Sequence, residues 1–109
     1  MNGPKAIDPV YGSVTQGATQ SFEYDVESGK RTLELVLRWD NSQNSLRLYL
    51  IRPDGHRYDP YSDNYDGVIN GVIPVRITST SLINGMWRFD VSGYDVSGTQ
   101  SFTLSMNAV

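Results

Sequence analysis

No cysteine occurs anywhere in the chain, which excludes a disulfide framework, a thiolate nucleophile and thiolate metal sites. Histidine is represented only by His56, too few imidazoles for zinc in the absence of thiolates. No apolar run approaches the ~20 residues needed to span a bilayer, so no membrane insertion is expected. Basic side chains are scattered singly (Arg38, Arg47, Arg52, Arg76, Arg88) in a chain of net charge −3. Nucleic-acid binding needs a clustered basic face, and no nucleic-acid partner is expected. The opening "MNGPKAIDPVYG" has neither a basic start nor an apolar segment, so it reads as no signal peptide. The chain is then either cytoplasmic or a piece of a larger protein.

What the sequence does hold is alternation. In "RTLELVLRW" the residues Leu33, Leu35, Leu37 and Trp39 share one face, while Glu34 and Arg38 point away. "LRLYLI" sets Leu46, Leu48 and Leu50 against Arg47 and Tyr49, and "SFEYDV" sets Phe22, Tyr24 and Val26 against Glu23 and Asp25. "MWRFDV" and "SFTLSM" repeat the pattern with Trp87, Phe89 and Val91, then Phe102, Leu104 and Met106. A period of two with one wet face marks antiparallel strands covering a core on one side. No capped stripe of helical period appears, so little or no helix is predicted. Turn residues punctuate the strands at Ser28-Gly29, Pro53-Asp54-Gly55, Asn70-Gly71, Asn84-Gly85 and Ser97-Gly98. Seven to eight short strands at this spacing predict an all-β, antiparallel, jelly-roll-like β-sandwich. It is a single domain over residues 13–109, with residues 1–12 as a lead-in carrying Pro4 and Pro9. The outward charges read first as a solvated sheet face whose members pair across strands.

The stretch "HRYDPYSDNYDG", residues 56–67, concentrates the remaining chemistry. His56 directly follows the Asp54-Gly55 turn, and no G-x-S-x-G elbow or Gly-rich phosphate loop accompanies it, so no enzyme activity is expected. Ser62, Asn64, Asp66 and Gly67 fall on the spacing of an EF-type calcium loop, but the first position is serine and the twelfth is Ile73. The bidentate glutamate that such a loop requires is missing. No cofactor is expected; calcium on a looser site of Asp59, Asp63 and Asp66 with backbone carbonyls is the one ion left open. Tyr58, Tyr61 and Tyr65 have two readings: flat faces for sugar stacking or protein contact, or rings folded back over the end of the core.

Taken together, "VTQGATQSFEYDVESGKRTLELVLRWDNSQNSLRLYLIRPDG" and "INGMWRFDVSGYDVSGTQSFTLSM" resemble the bacterial and archaeal pre-peptidase C-terminal domain family. Gly17, Trp39, Leu46, Leu48, Tyr49, Leu50, Pro53, Gly55, Gly85, Trp87, Gly93, Phe102, Thr103 and Leu104 occupy that family's pattern positions, in order. More distantly, the chain is similar to the P domains of proprotein convertases and to collagenase collagen-binding domains. It departs where the family has Asp-Leu-Asp-Leu, carrying Ser45-Leu46-Arg47-Leu48, so no calcium ligands transfer. The resemblance implies a non-catalytic accessory domain of a larger secreted or cell-surface protein, located outside the cell and sometimes removed on maturation. Its expected partners are neighbouring domains of the parent and an extracellular protein or polysaccharide. A calcium-stabilised carbohydrate-binding module using residues 56–67 is the alternative.

Overall fold

A computed structural model describes residues 9–63, 70–79 and 82–109. Eight strands follow one another: β1 (Val10–Val14), β2 (Thr19–Val26), β3 (Thr32–Trp39), β4 (Ser45–Ile51), β5 (Tyr61–Ser62), β6 (Val72–Thr78), β7 (Gly85–Asp95) and β8 (Gln100–Ala108). They form two four-stranded antiparallel sheets, in the orders β1-β8-β3-β6 and β2-β7-β4-β5. This is the jelly-roll arrangement. No helix occurs among the described residues.

Alternation determines which way each strand faces. Leu33, Leu35, Leu37 and Trp39 of β3 are buried, and their neighbours on β8 are Ala108, Met106, Leu104 and Phe102. From the other sheet, Leu48 and Leu50 of β4 lie beside Val91 and Phe89 of β7, all inaccessible to solvent. Trp87 is 0% exposed and Trp39 7%. Both indoles also find hydrogen-bond acceptors: Trp39 Nε1 donates to the carbonyl of Asn44 at 2.9 Å and Trp87 Nε1 to that of Ile83 at 2.9 Å. Burial of a large ring is thereby achieved without stranding its polar N–H.

Two expectations are adjusted. Sheet pairing begins at Val10, opposite Leu104, so residues 10–12 of the anticipated lead-in are already strand; Gly12 and Ser13 interrupt the apolar alternation that would have announced it. The ion pairs among the described residues, Arg52–Asp54 and Arg88–Asp90, run along the chain and not across strands. For Arg88 and Asp90 the cause is pleating, which places residues i and i+2 on one face about 7 Å apart. Asp90 is largely buried beneath this fork, with Arg88 Nε at 3.1 Å.

Trp87→Ala removes a fully enclosed ring from the inter-sheet core, and the expected loss is about 3–5 kcal/mol, read from urea denaturation. Wild-type emission should shift to longer wavelength on unfolding; equal folded and unfolded spectra would contradict this placement.

Candidate binding surface

The 56–63 strip is stitched to the edge of the β2-β7-β4-β5 sheet. A turn closed by Gly55 N–H to Arg52 C=O at 2.9 Å, with Gly55 at φ 91°, reverses the chain after β4. Arg57 then bridges Ile51, Tyr58 N–H donates to Leu50 C=O at 2.9 Å, and Tyr61 pairs with Leu48. Tyr58 lies with its ring 6.1 Å from that of Trp87, and His56 meets Tyr58 edge-on at 5.1 Å. Tyr58 and Tyr61 are half-buried against the core, with part of each ring left in solvent. Burial, then the neighbouring Tyr58, pushes the Tyr61 hydroxyl pKa up.

The acids of the strip divide. Asp59 is exposed. Asp63 is buried, and its two oxygens accept the N–H groups of Asn70 at 3.2 Å and Gly71 at 2.9 Å. Gly71, at φ 76°, passes the connection on: its carbonyl accepts Trp39 N–H at 2.9 Å. A Cβ on Gly71 would stand 2.5 Å from the Trp39 carbonyl oxygen, so only glycine fits there. Tyr65 and Asp66 lie outside the described residues. Among the described residues no group of three acidic or histidine side chains is placed to hold a metal ion.

The outward face of the same sheet holds an arrangement that sequence reading treated only as a solvated surface. Arg47 of β4 lies 3.5 Å above the ring centroid of Tyr94, and Arg57 lies 4.3 Å above that of Tyr49. Arg47 and Tyr49 stand two residues apart on one strand face. Tyr94, 54% exposed, sits at a bulge of β7, between Gly93 opposite Leu46 and Asp95 opposite Ser45. Such bulges re-aim side chains. Alternation revealed that Arg47 and Tyr49 point outward; their ring and guanidinium partners come from a bulge and a bridge, which leave no sequence signal.

The opposite sheet offers a shallow hollow of about 500 Å³, lined by Tyr11, Arg38, Trp39, Asp40, Ser101 and Thr103 among others. Register sets Tyr11, Thr103 and Arg38 in one row across β1, β8 and β3.

No family model matches the chain, and no curated protein matches it. Several solved structures share its fold. The pre-peptidase C-terminal domain of a collagenase from Bacillus anthracis is 15% identical, with 98% of this chain and 100% of that one covered at a TM-score of 0.69. The Yersinia pseudotuberculosis-derived mitogen YPM is 15% identical, with coverage of 94% and 85% and a TM-score of 0.66. The CspB protease of Clostridium perfringens is 13% identical; 90% of this chain aligns with 24% of the protease at a TM-score of 0.65. The chain therefore has the fold of a pre-peptidase C-terminal domain, as its motif order suggested.

Two measurements check this local chemistry. The guanidinium of Arg52 and the backbone N–H of His56 hold the Asp54 carboxyl down to about 2. A carboxyl held low in the folded state stabilises above roughly pH 4, and that contribution disappears as pH falls through the folded value. Carboxyl NMR should therefore show a midpoint near 2 for Asp54, rising in Arg52→Ala. Asp63→Ala orphans the Asn70 and Gly71 N–H groups and should cost ~1–3 kcal/mol in urea denaturation, to the same extent with or without calcium.

Proposed function

We propose that the chain is a non-catalytic accessory domain of a larger secreted or cell-surface protein, serving to bind an extracellular protein or polysaccharide or to space its neighbours. The observation that carries this reading is the match to the whole of an isolated collagenase accessory domain, 100% of it being covered. Alignment with only 24% of a protease points the same way, towards one module among several. His56 is an exposed residue whose ring meets Tyr58 edge-on, with no nucleophile hydrogen-bonded to its ring among the described residues. That is far from the nucleophile–base–acid relay a hydrolase needs.

The competing reading, a calcium-stabilised carbohydrate module on residues 56–67, would draw on Asp63. That carboxylate is already committed to two backbone N–H groups. Its ligation of calcium would have to share the lone pairs that fix the Asn70–Gly71 turn.

Co-sedimentation of the purified chain with fibrillar collagen, chitin, cellulose and bacterial cell wall tests the binding role, alongside assays on peptide, ester and glycoside substrates. The expected outcome is retention by at least one polymer and no turnover. Turnover abolished by His56→Ala would overturn the accessory reading, and a calcium-dependent rise in melting temperature would move the assignment to the calcium module.

A further inference from the structure

We propose that the outer face of the β2-β7-β4-β5 sheet docks an acidic polysaccharide, gripped by the guanidinium groups of Arg47 and Arg57. This rests on the accessory-domain reading and names its ligand class.

A Cζ-to-centroid distance of 3.5 Å between Arg47 and Tyr94 is van der Waals contact between two flat groups, which requires them to lie nearly face to face. A guanidinium held this way directs its N–H bonds sideways, in the plane of the group and away from the ring. The in-plane edge is the one that a carboxylate or sulfate engages through two parallel hydrogen bonds. Arg57 lies over Tyr49 at 4.3 Å, a looser cation–π placement beside the first. Arg47 and Tyr49 are roughly 7 Å apart along the strand, so the two forks follow one another along β4.

Neither guanidinium is neutralised by a carboxylate among the described residues. Arg47 stands opposite Ser92 on one side and Ser62 on the other, and Arg57 opposite Ile51. Of the acids on this face, Asp90 is occupied by Arg88. Glu23 and Asp25 belong to β2, on the far side of β7. Asp95 lies at the bulge beside Tyr94 and is exposed, without an ion pair to Arg47. In a chain of net charge −3, two ring-mounted cations that form no ion pair among the described residues mark where an anion is complementary.

A polysaccharide fits better than a protein. Tyr and Arg anchor protein interfaces where they fill desolvated pockets in a dry centre, whereas here Tyr94 stands 54% exposed on an open pleated face. The hydroxyls of Thr19 and Ser92, 3.4 Å from each other, continue the row beyond Arg47 as hydrogen-bonding groups. Flat pleated surface, exposed ring and paired forks match an extended, hydroxyl-rich, negatively charged polymer.

The test uses the whole purified chain on immobilised heparin and on polygalacturonate, with uncharged dextran and poly-L-glutamate as comparisons. Retention on at least one acidic polysaccharide is expected, released as salt is raised. Arg47→Ala and Arg57→Ala should each weaken it about tenfold. Arg47→Lys should recover only part of the affinity, because the charge returns without the flat fork, and Arg38→Ala on the other sheet should bind as wild type. Circular dichroism verifies that each variant is folded. Absence of retention, retention indifferent to both arginines, or equal binding to poly-L-glutamate would each overturn the proposal. None of these outcomes touches the accessory-domain reading, which fails instead on enzymatic turnover.

Discussion

Everything in this molecule depends on keeping Trp87, Phe89 and the leucines of β3 and β4 out of water between two sheets. That burial does more than stabilise. Because a strand alternates faces, locking Leu46, Leu48 and Leu50 inward obliges Arg47 and Tyr49 to face solvent, and locking Trp87, Phe89 and Val91 inward does the same for Arg88. A slip of one residue would exchange core for surface along the whole strand. Which residues of β4 and β7 face outward is thus enforced by the apolar interior.

A second constraint operates at one end of the sandwich. The buried amide of Asn44 donates to Gln100 at 2.8 Å and accepts Ser97 N–H at 3.0 Å, while Gln100 donates to Asp40 at 2.8 Å. The Asn44 carbonyl takes the Trp39 indole. These bonds tie the β3–β4 connection to the β7–β8 connection. No buried side-chain polar atom among the described residues lacks a partner, which is the condition under which a buried polar network rigidifies instead of destabilising. Asp63 performs a related task from the other connection, holding the Asn70–Gly71 backbone that in turn accepts Trp39 N–H.

Strong alternation made most of the fold legible. β2, β3, β4, β7 and β8 each carry three or four apolar residues on one face, a signal that depends only on local spacing. β1 and β5 were not legible, since each owes its existence to a neighbour: β1 to the open edge of β8, and two-residue β5 to the edge of β4. The same distinction governs the candidate site. That Arg47 and Tyr49 point outward is local information; that Tyr94 lies under one and Arg57 over the other is decided by a bulge and a bridge between distant segments. In the tyrosine-rich stretch, composition announced the rings, whereas the packing of Tyr58 and Tyr61 against the core edge depends on contacts with distant strands.

The strand order has a consequence for how the chain reaches this state. β8 lies between β1 and β3, and β7 between β2 and β4, so one inner strand of each sheet comes from the last two in the sequence. While the chain emerges from the ribosome, the earlier strands are bordered by gaps that only later residues can fill. The β2-β7-β4-β5 layer is continuous only once Asp95 has been made, and the β1-β8-β3-β6 layer only once Ala108 has. Nascent strands with open edges invite off-pathway pairing, and a topology dominated by distant contacts closes slowly. Synthesis must run to the end of β8 before folding can be completed, and loss of that strand would divide a sheet through its middle instead of trimming its border.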